Sequence, residues 1–276
     1  MTDPSRSFGG VADAYHRGRP SYPREAAVWL VGEQPTTVLE LGAGTGKLTE
    51  VLVALGHDVH ATDPDDQMLE RLRAQLPDVR TSVASAEDLP APDASYDVVV
   101  VAQAFHWFDH GRALPEIARV LKPGGRVALV WNERDERIPW VRRLGRLIGT
   151  QEQLRSEEPL VTSPLFGFVE DQEFKHWQVV DRVSIQDMVL SRSNVAVLDE
   201  EQRAAKLAEV LAFYDDYGRG MDGMQLPLRA SCFRATAVDR GEAAAPTETS
   251  EASGEAPTGT VSDDGADADV LLIDFR

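Results

Sequence analysis

The sequence predicts an α/β fold: a mostly parallel sheet with helices on both faces. Three observations carry that expectation. Between residues 36 and 131, short β-rich runs alternate with helical ones, the pattern of parallel strands joined by right-handed crossovers. The run "YDVVVVAQAF" from Tyr96 is almost continuously apolar, as a strand buried on both faces requires. The first strand, "TTVLEL", runs directly into glycines at alternate positions, Gly42, Gly44 and Gly46. Without a Cβ, such positions accept positive φ and let a ligand approach the backbone closely.

Taken in order, residues 1 to 20 are polar and rich in glycine and arginine. "YPREAAVWLVGE" then reads as a helix, with Pro23 near its first turn and Ala27, Leu30 and Val31 on one face. After Pro35, strand "TTVLEL" leads to a helix from Gly46 to about Leu55, strand "DVHATD" and a helix from Asp65 to Leu76. "VRTSVA" is the third strand and "YDVVVVAQAF" the fourth, followed by helix "GRALPEIARVL", turn "KPGG" and strand "RVALVWN". Beyond it the alternation loosens. A helix through "WVRRLGRLIG" precedes strand "EFKHWQVV", helices near Ser184 to Leu190 and Asp199 to Tyr217, and a closing strand "LPLRASCFRAT". No internal repeat is found.

Charge and composition narrow the partners. The formal net charge is −18, which opposes a nucleic-acid partner, because binding a polyanion needs a basic surface that releases counterions. From Asp239 onward about ten carboxylates face only Arg240 and Arg276, among Ala, Thr, Gly and Pro. That composition predicts a disordered acidic tail, 239–276, whose terminal "VLLIDFR" could dock on a protein partner. The start "MTDPSRSFGG" lacks an apolar run, and no stretch approaches the ~18 apolar residues of a membrane helix. A single cysteine, Cys232, cannot form an internal disulfide or a CxxC metal site and reads as a small core residue. A soluble, cytoplasmic protein that uses no metal and no membrane is expected.

The glycine spacing is G-x-G-x-G, not the G-x-G-x-x-G that seats a dinucleotide's pyrophosphate on a helix N-terminus. Asp63 closes the second strand about 20 residues past the glycines, where a carboxylate can accept hydrogen bonds from ribose hydroxyls; it also stands where "DPDD" would cap a helix. Glu40 ends the first strand, where a carboxylate favours a cationic ligand. "ASAEDLP", after the third strand, supplies Ala86, Glu87 and Asp88, an acidic turn that could receive an adenine.

In order and spacing, "VLELGAGTGKLT", "ATDPDDQML", "SAEDLP", "YDVVVVAQAFHWF" and "LKPGGRVALV" resemble the class I S-adenosylmethionine-dependent methyltransferases. The flanks "VADAYHRGRPSYP", "AFHWFD", "LVWNERD", "LSRSNV" and "LPLRASCFRAT" look like the trans-aconitate methyltransferase-like subgroup. The resemblance implies a Rossmann-like seven-stranded sheet in the order 3-2-1-4-5-7-6, the last strand antiparallel to its neighbours. It implies S-adenosyl-L-methionine as cofactor, held by Glu40, Gly42, Gly44, Gly46, Asp63, Ala86, Glu87 and Asp88, with Gln103 or Ala104 near the methionine moiety. The expected division is an N-terminal lid and first helix (1–35), a methyltransferase domain (36–238) and the tail. Within the domain, residues 36–131 would serve the cofactor and 132–238 the methyl acceptor.

Methyl transfer from a sulfonium requires a nucleophile aligned with the S–CH₃ axis, so acceptor chemistry decides which residues matter. A carboxylate acceptor needs no base, whereas a hydroxyl does. His106, after the fourth strand, could act as that base or orient the acceptor. Arg17, Arg19 and Arg192 are candidates to grip a carboxylate. Tyr15, Tyr22, Trp107 and Trp131 could wall the acceptor site or close over the cofactor. Residues 8 to 22 would form the mobile lid. The expected function is O-methylation of a small molecule at a carboxylate or hydroxyl, with nitrogen and carbon acceptors still open. A cofactor-binding sensor or scaffold using the acidic tail is the alternative; a nicotinamide-dependent oxidoreductase is disfavoured by the glycine spacing.

Overall fold

The computed structural model describes residues 18–149, 156–190, 195, 198–217 and 223–238. Its centre is a seven-stranded sheet in the order β3-β2-β1-β4-β5-β7-β6. The strands are β1 (Thr37–Leu41), β2 (Asp58–Asp63), β3 (Arg80–Val83), β4 (Tyr96–Ala102), β5 (Leu121–Arg134), β6 (Glu170–Val180) and β7 (Met224–Thr236). β1 to β5 pair in parallel, and β7 runs antiparallel between β5 and β6. This is the strand order and orientation that the resemblance implied.

Helix α1 (Arg24–Val31) starts behind Pro23 and buries Ala26, Ala27, Leu30 and Val31. α2 (Lys47–Ala54) follows the glycine turn and α3 (Asp66–Gln75) follows β2. Asp65 caps α3 by accepting the Gln67 N–H at 3.0 Å, and Asp109 caps α4 (His110–Val120) by accepting the Gly111 N–H at 3.1 Å. Each cap satisfies a backbone donor that the first helical turn leaves over. The chain then adds α5 (Pro139–Ile148), α6 (Glu158–Val161), α7 (Ser184–Leu190) and α8 (Glu200–Tyr217).

"KPGG" differs from its expectation as a plain turn before a strand. β5 already begins at Leu121, paired with Tyr96, and pairing resumes at Val98 with Arg126 across a bulge. Gly124 takes φ +75° there, and a Cβ on Gly125 would stand 2.8 Å from the Lys122 carbonyl oxygen.

Side-chain alternation along the strands divides the core. Leu39, Leu41, Val99, Val101, Leu129 and Trp131 meet Phe105 and Ile117 on one face. Val38, Val98, Val100, Ala128, Val130 and Cys232 meet α1 and α2 on the other. Cys232 is fully buried, and burial pushes its thiol up to about 12. A third cluster joins α5, α7 and α8 to β7 through Leu144, Ile148, Val189, Phe213, Leu226 and Leu228. No helix among the described residues is long and apolar enough to cross a membrane.

Candidate active site

The glycine turn lies at the carboxyl ends of the parallel strands, where open α/β sheets bind ligands. Gly42, Gly44 and Gly46 all take positive φ, at +66°, +57° and +90°. Their surroundings differ. A Cβ on Gly42 would come within 2.5 Å of the Ala104 Cβ, one on Gly46 within 3.0 Å of Leu72, and one on Gly44 would meet nothing within 4 Å. Gly42 and Gly46 therefore answer to close packing, whereas Gly44 faces open space.

Asp63 organises this turn. Its Oδ2 accepts the Gly44 N–H and its Oδ1 the Asp65 N–H, both at 2.9 Å. Burial raises its carboxyl to about 6 against the pull of those two donors. Asp63 thus shapes the turn from within and also lines the cleft above it.

Glu40 is 1% exposed, and its Oε2 accepts the Thr49 hydroxyl at 2.7 Å. Burial lifts this carboxyl to about 8, with the nearby Asp63 charge adding to the rise. At neutral pH an isolated Glu40 is mostly protonated, and an approaching cation would favour its charged form.

Three adjoining compartments lie above these residues. The outer one, about 600 Å³, is lined by Asp63, Pro64, Met68, Trp107 and Phe108, with Gly42 and Gly44. The middle one, about 470 Å³, lies over Glu40, Thr45 and Lys47 and is bounded by Arg19, Pro20 and Tyr22. The inner one, about 370 Å³, is lined by Arg19, Asn132, Arg134, Gln178, Met188 and Leu228, among others. Gln103 borders all three. It holds φ +59°, unusual for a side-chain-bearing residue. Its backbone N–H donates to the Val130 carbonyl at 3.0 Å and its Nε2 to the Asn132 carbonyl at 2.8 Å.

Asn132 ties the N-terminal segment over this cleft: its Nδ2 donates to the Ser21 carbonyl at 3.0 Å, and its Oδ1 lies 3.0 Å from His176 Nε2. Gly18 permits the same crossing, since a Cβ there would stand 2.6 Å from the backbone of Asp187 and Met188 in α7.

The sequence-proposed residues fall into distinct groups. Glu40, Gly42, Gly44, Asp63, Gln103, Arg19, Tyr22 and Trp107 border the compartments, whereas Gly46 packs beneath the turn. Tyr22 is also part of the core under α1. Ala86, Glu87 and Asp88 line none of the three. Glu87 Oε1 instead accepts the Asp109 N–H at 2.9 Å, and Asp88 is exposed. Trp131 needs correction as a wall of the acceptor site. It is 2% exposed and stacks edge-on with Phe105 and Phe233, because strand alternation turns Asn132, not Trp131, toward the cleft. His106 lies in the helical turn Phe105–Trp107 and borders none of the three compartments. Both its ring nitrogens are buried without a hydrogen-bond partner, and burial pushes its pKa down to about 4. Tyr15, Arg17 and Arg192, residues 8–17 of the lid and the tail from 239 lie outside the described residues.

Asn132, Arg134 and Gln178 were not singled out from sequence. The signal for the first two was present in "VALVWNER", a polar run closing a buried strand at its carboxyl end.

A parallel sheet with a glycine turn at its carboxyl ends is the setting of a ligand site, and the comparisons with known proteins identify the family. The model of a methyltransferase domain family matches residues 39–129. An uncharacterized methyltransferase of Mycobacterium tuberculosis (strain H37Rv) is 44% identical over 237 residues, which cover 85% of this chain and 97% of that one. An uncharacterized methyltransferase of Schizosaccharomyces pombe is 35% identical over 217 residues, covering 73% of this chain and 85% of its own length. Among solved structures, a protein of Anaeromyxobacter dehalogenans provisionally classed as a type II methyltransferase is 27% identical, with a TM-score of 0.59 over 79% of this chain and 97% of that one. The chain belongs to the methyltransferase family, in its class I S-adenosylmethionine-dependent branch.

Proposed function

We propose that this methyltransferase acts on a small molecule and forms a methyl ester or methyl ether at an acceptor oxygen. The carrying observation is the run of three compartments along Gln103, in which the turn with Glu40 and Asp63 opens into a side cavity walled by Arg134, Gln178, Met188 and Leu228. A cavity walled by side chains suits a small acceptor, and the net charge of −18 opposes nucleic acid.

The residues fit the donor on their own chemistry. S-adenosylmethionine supplies a methyl group made electrophilic by its sulfonium. Asp63 stands where it would accept ribose hydroxyls, between the outer compartment and the Gly44 N–H that orients it. Glu40, below the middle compartment, would meet the cationic methionine end and exchange its proton for that charge. Gly44 leaves room for close approach along the turn. Ala86, Glu87 and Asp88 remain the proposed adenine edge, with Glu87 also fixing Asp109.

Arg19, Pro20 and Tyr22 close the middle compartment and would keep water from the reacting centre. His106, pushed down to about 4, is a weak base, and a carboxylate acceptor requires none. A carboxylate oxygen is therefore the preferred nucleophile. Its lone pair forms the new C–O bond as the S–C bond breaks, and the bond electrons return to sulfur. Incubating the full chain with methyl-labelled S-adenosylmethionine and a metabolite extract tests this. Label in a base-labile, low-mass ester supports it, whereas label confined to protein or nucleic acid contradicts it.

A further inference from the structure

Glu40 and Asp63 are carboxyls on neighbouring strands, both near the carboxyl ends, and both are buried, at 1% and 7% exposed. Their surroundings treat them differently. Asp63 accepts two backbone N–H groups, from Gly44 and Asp65, which favour its charged form. Glu40 accepts the Thr49 hydroxyl from α2, and its carboxyl makes no further hydrogen bond or ion pair among the described residues. A buried carboxylate with so little compensation is less favourable than the neutral acid. The like charge of Asp63 on β2 adds to that cost. Other neighbours do not offset it: β4 places Val100 beside Glu40, and Arg19, Tyr22 and Lys47 border the compartment above without pairing with it. The two groups are accordingly held apart, Asp63 at about 6 and Glu40 at about 8. At pH 7 Asp63 carries the charge and Glu40 the proton.

We infer that Glu40 and Asp63 hold one negative charge in the free protein and two with the methyl donor in place, the second being created when the donor's ammonium expels the Glu40 proton to solvent. The inference rests on the placement of the donor's methionine end over Glu40 and adds a regulation to it, because pH then sets donor occupancy. The step balances simply: the Glu40 O–H breaks, the proton passes to buffer, and the carboxylate left behind pairs with the ammonium. A nucleoside without an amino group gives Glu40 nothing to pair with and leaves its proton in place. Since the bound state carries fewer protons than the free one, donor affinity rises with pH and levels off once the free Glu40 is itself ionised, near pH 8.

The test is calorimetric titration of the full chain at neutral pH in buffers of different ionisation enthalpy, which counts the protons released. S-adenosylhomocysteine should release about one proton per site, and 5′-methylthioadenosine, the same adenosyl thioether without the amino-acid part, almost none. Affinity for S-adenosylhomocysteine should rise about tenfold per pH unit around neutrality, whereas 5′-methylthioadenosine affinity should stay nearly flat. Glu40→Gln, which resembles the neutral acid, should bind S-adenosylhomocysteine without releasing a proton and with a flat pH profile. The contrast between the two ligands on the unaltered chain keeps the test decisive if that variant does not fold. Absence of proton release, equal release by both ligands, or release that persists in Glu40→Gln would overturn the inference. Failure of S-adenosylhomocysteine to bind the unaltered chain would instead overturn the placement on which it rests.

Discussion

The halves of the sheet on either side of β4 solve different problems. From β1 to β4, the residues lining the cleft sit in short sequence windows: Glu40 to Leu48, then Asp63 to Met68, then Ala102 to Phe108. From β5 to β7, the inner compartment draws on Arg19, Gln103, Arg134, Gln178, Met188 and Leu228, residues far apart in the chain. In the proposed function the first half would hold its ligand with backbone geometry, and the second would use side chains delivered by packing. Substitutions should separate the two, with the turn failing abruptly and the acceptor side failing by degrees.

The largest effect is expected at Gly42. Gly42→Val combines positive φ with a Cβ only 2.5 Å from Ala104. It should cost about 3 kcal/mol or more and abolish S-adenosylhomocysteine binding, read by thermal unfolding and calorimetry. Wild-type stability and binding would erase the distinction between the halves.

Glu40→Gln comes next. Burial lifts the Glu40 carboxyl from 4.5 to about 8, so the folded chain retains a proton that the unfolded chain releases. That contribution is full below the unfolded pKa and is lost as pH rises through about 8. Without ligand, the stability of the variant relative to wild type should therefore increase between pH 4.5 and about 8 and level off above that. Its affinity for S-adenosylhomocysteine should fall by roughly 10- to 100-fold, the worth of one charge-assisted hydrogen bond.

On the acceptor side, Gly18→Ala places a Cβ 2.6 Å from the α7 backbone. Overpacking there should cost about 1–3 kcal/mol, seen as a fall in Tm, while S-adenosylhomocysteine affinity changes less than in the Gly42 variant. The smallest effect belongs to Trp131→Phe. It removes a buried indole N–H that has no partner and leaves the aromatic packing with Phe105 and Phe233. Lost volume and relieved desolvation should nearly cancel, within about 1 kcal/mol; loss of activity without loss of stability would return Trp131 to the site.

The same division explains what the sequence made legible. Strand order followed from the resemblance, and the elements followed from apolar period and glycine punctuation, which are local signals. The turn residues were readable because positive φ confines the choice to glycine at Gly42, Gly44 and Gly46. Asp63 was readable because a strand end fixes where its carboxylate sits. Trp131 was misread by a single residue of register: residues Trp131 and Asn132 differ only in which face the pleat gives them. Gln178 gave no local signal, since its place depends on β6 pairing with β7, which comes later in the chain. Glu87 shows the reverse limit, an acid in the expected turn whose carboxylate holds a backbone N–H of the following loop.

Gly44 offers the most direct measurement, because its missing side chain faces open space rather than protein. Calorimetric titration with S-adenosylhomocysteine should show one site in the unaltered chain and none in a folded Gly44→Leu variant, whose added side chain would fill the cleft. Equal binding by both would mean that the ligand lies elsewhere, and the assignment of the glycine turn, Glu40 and Asp63 to the methyl donor would be wrong.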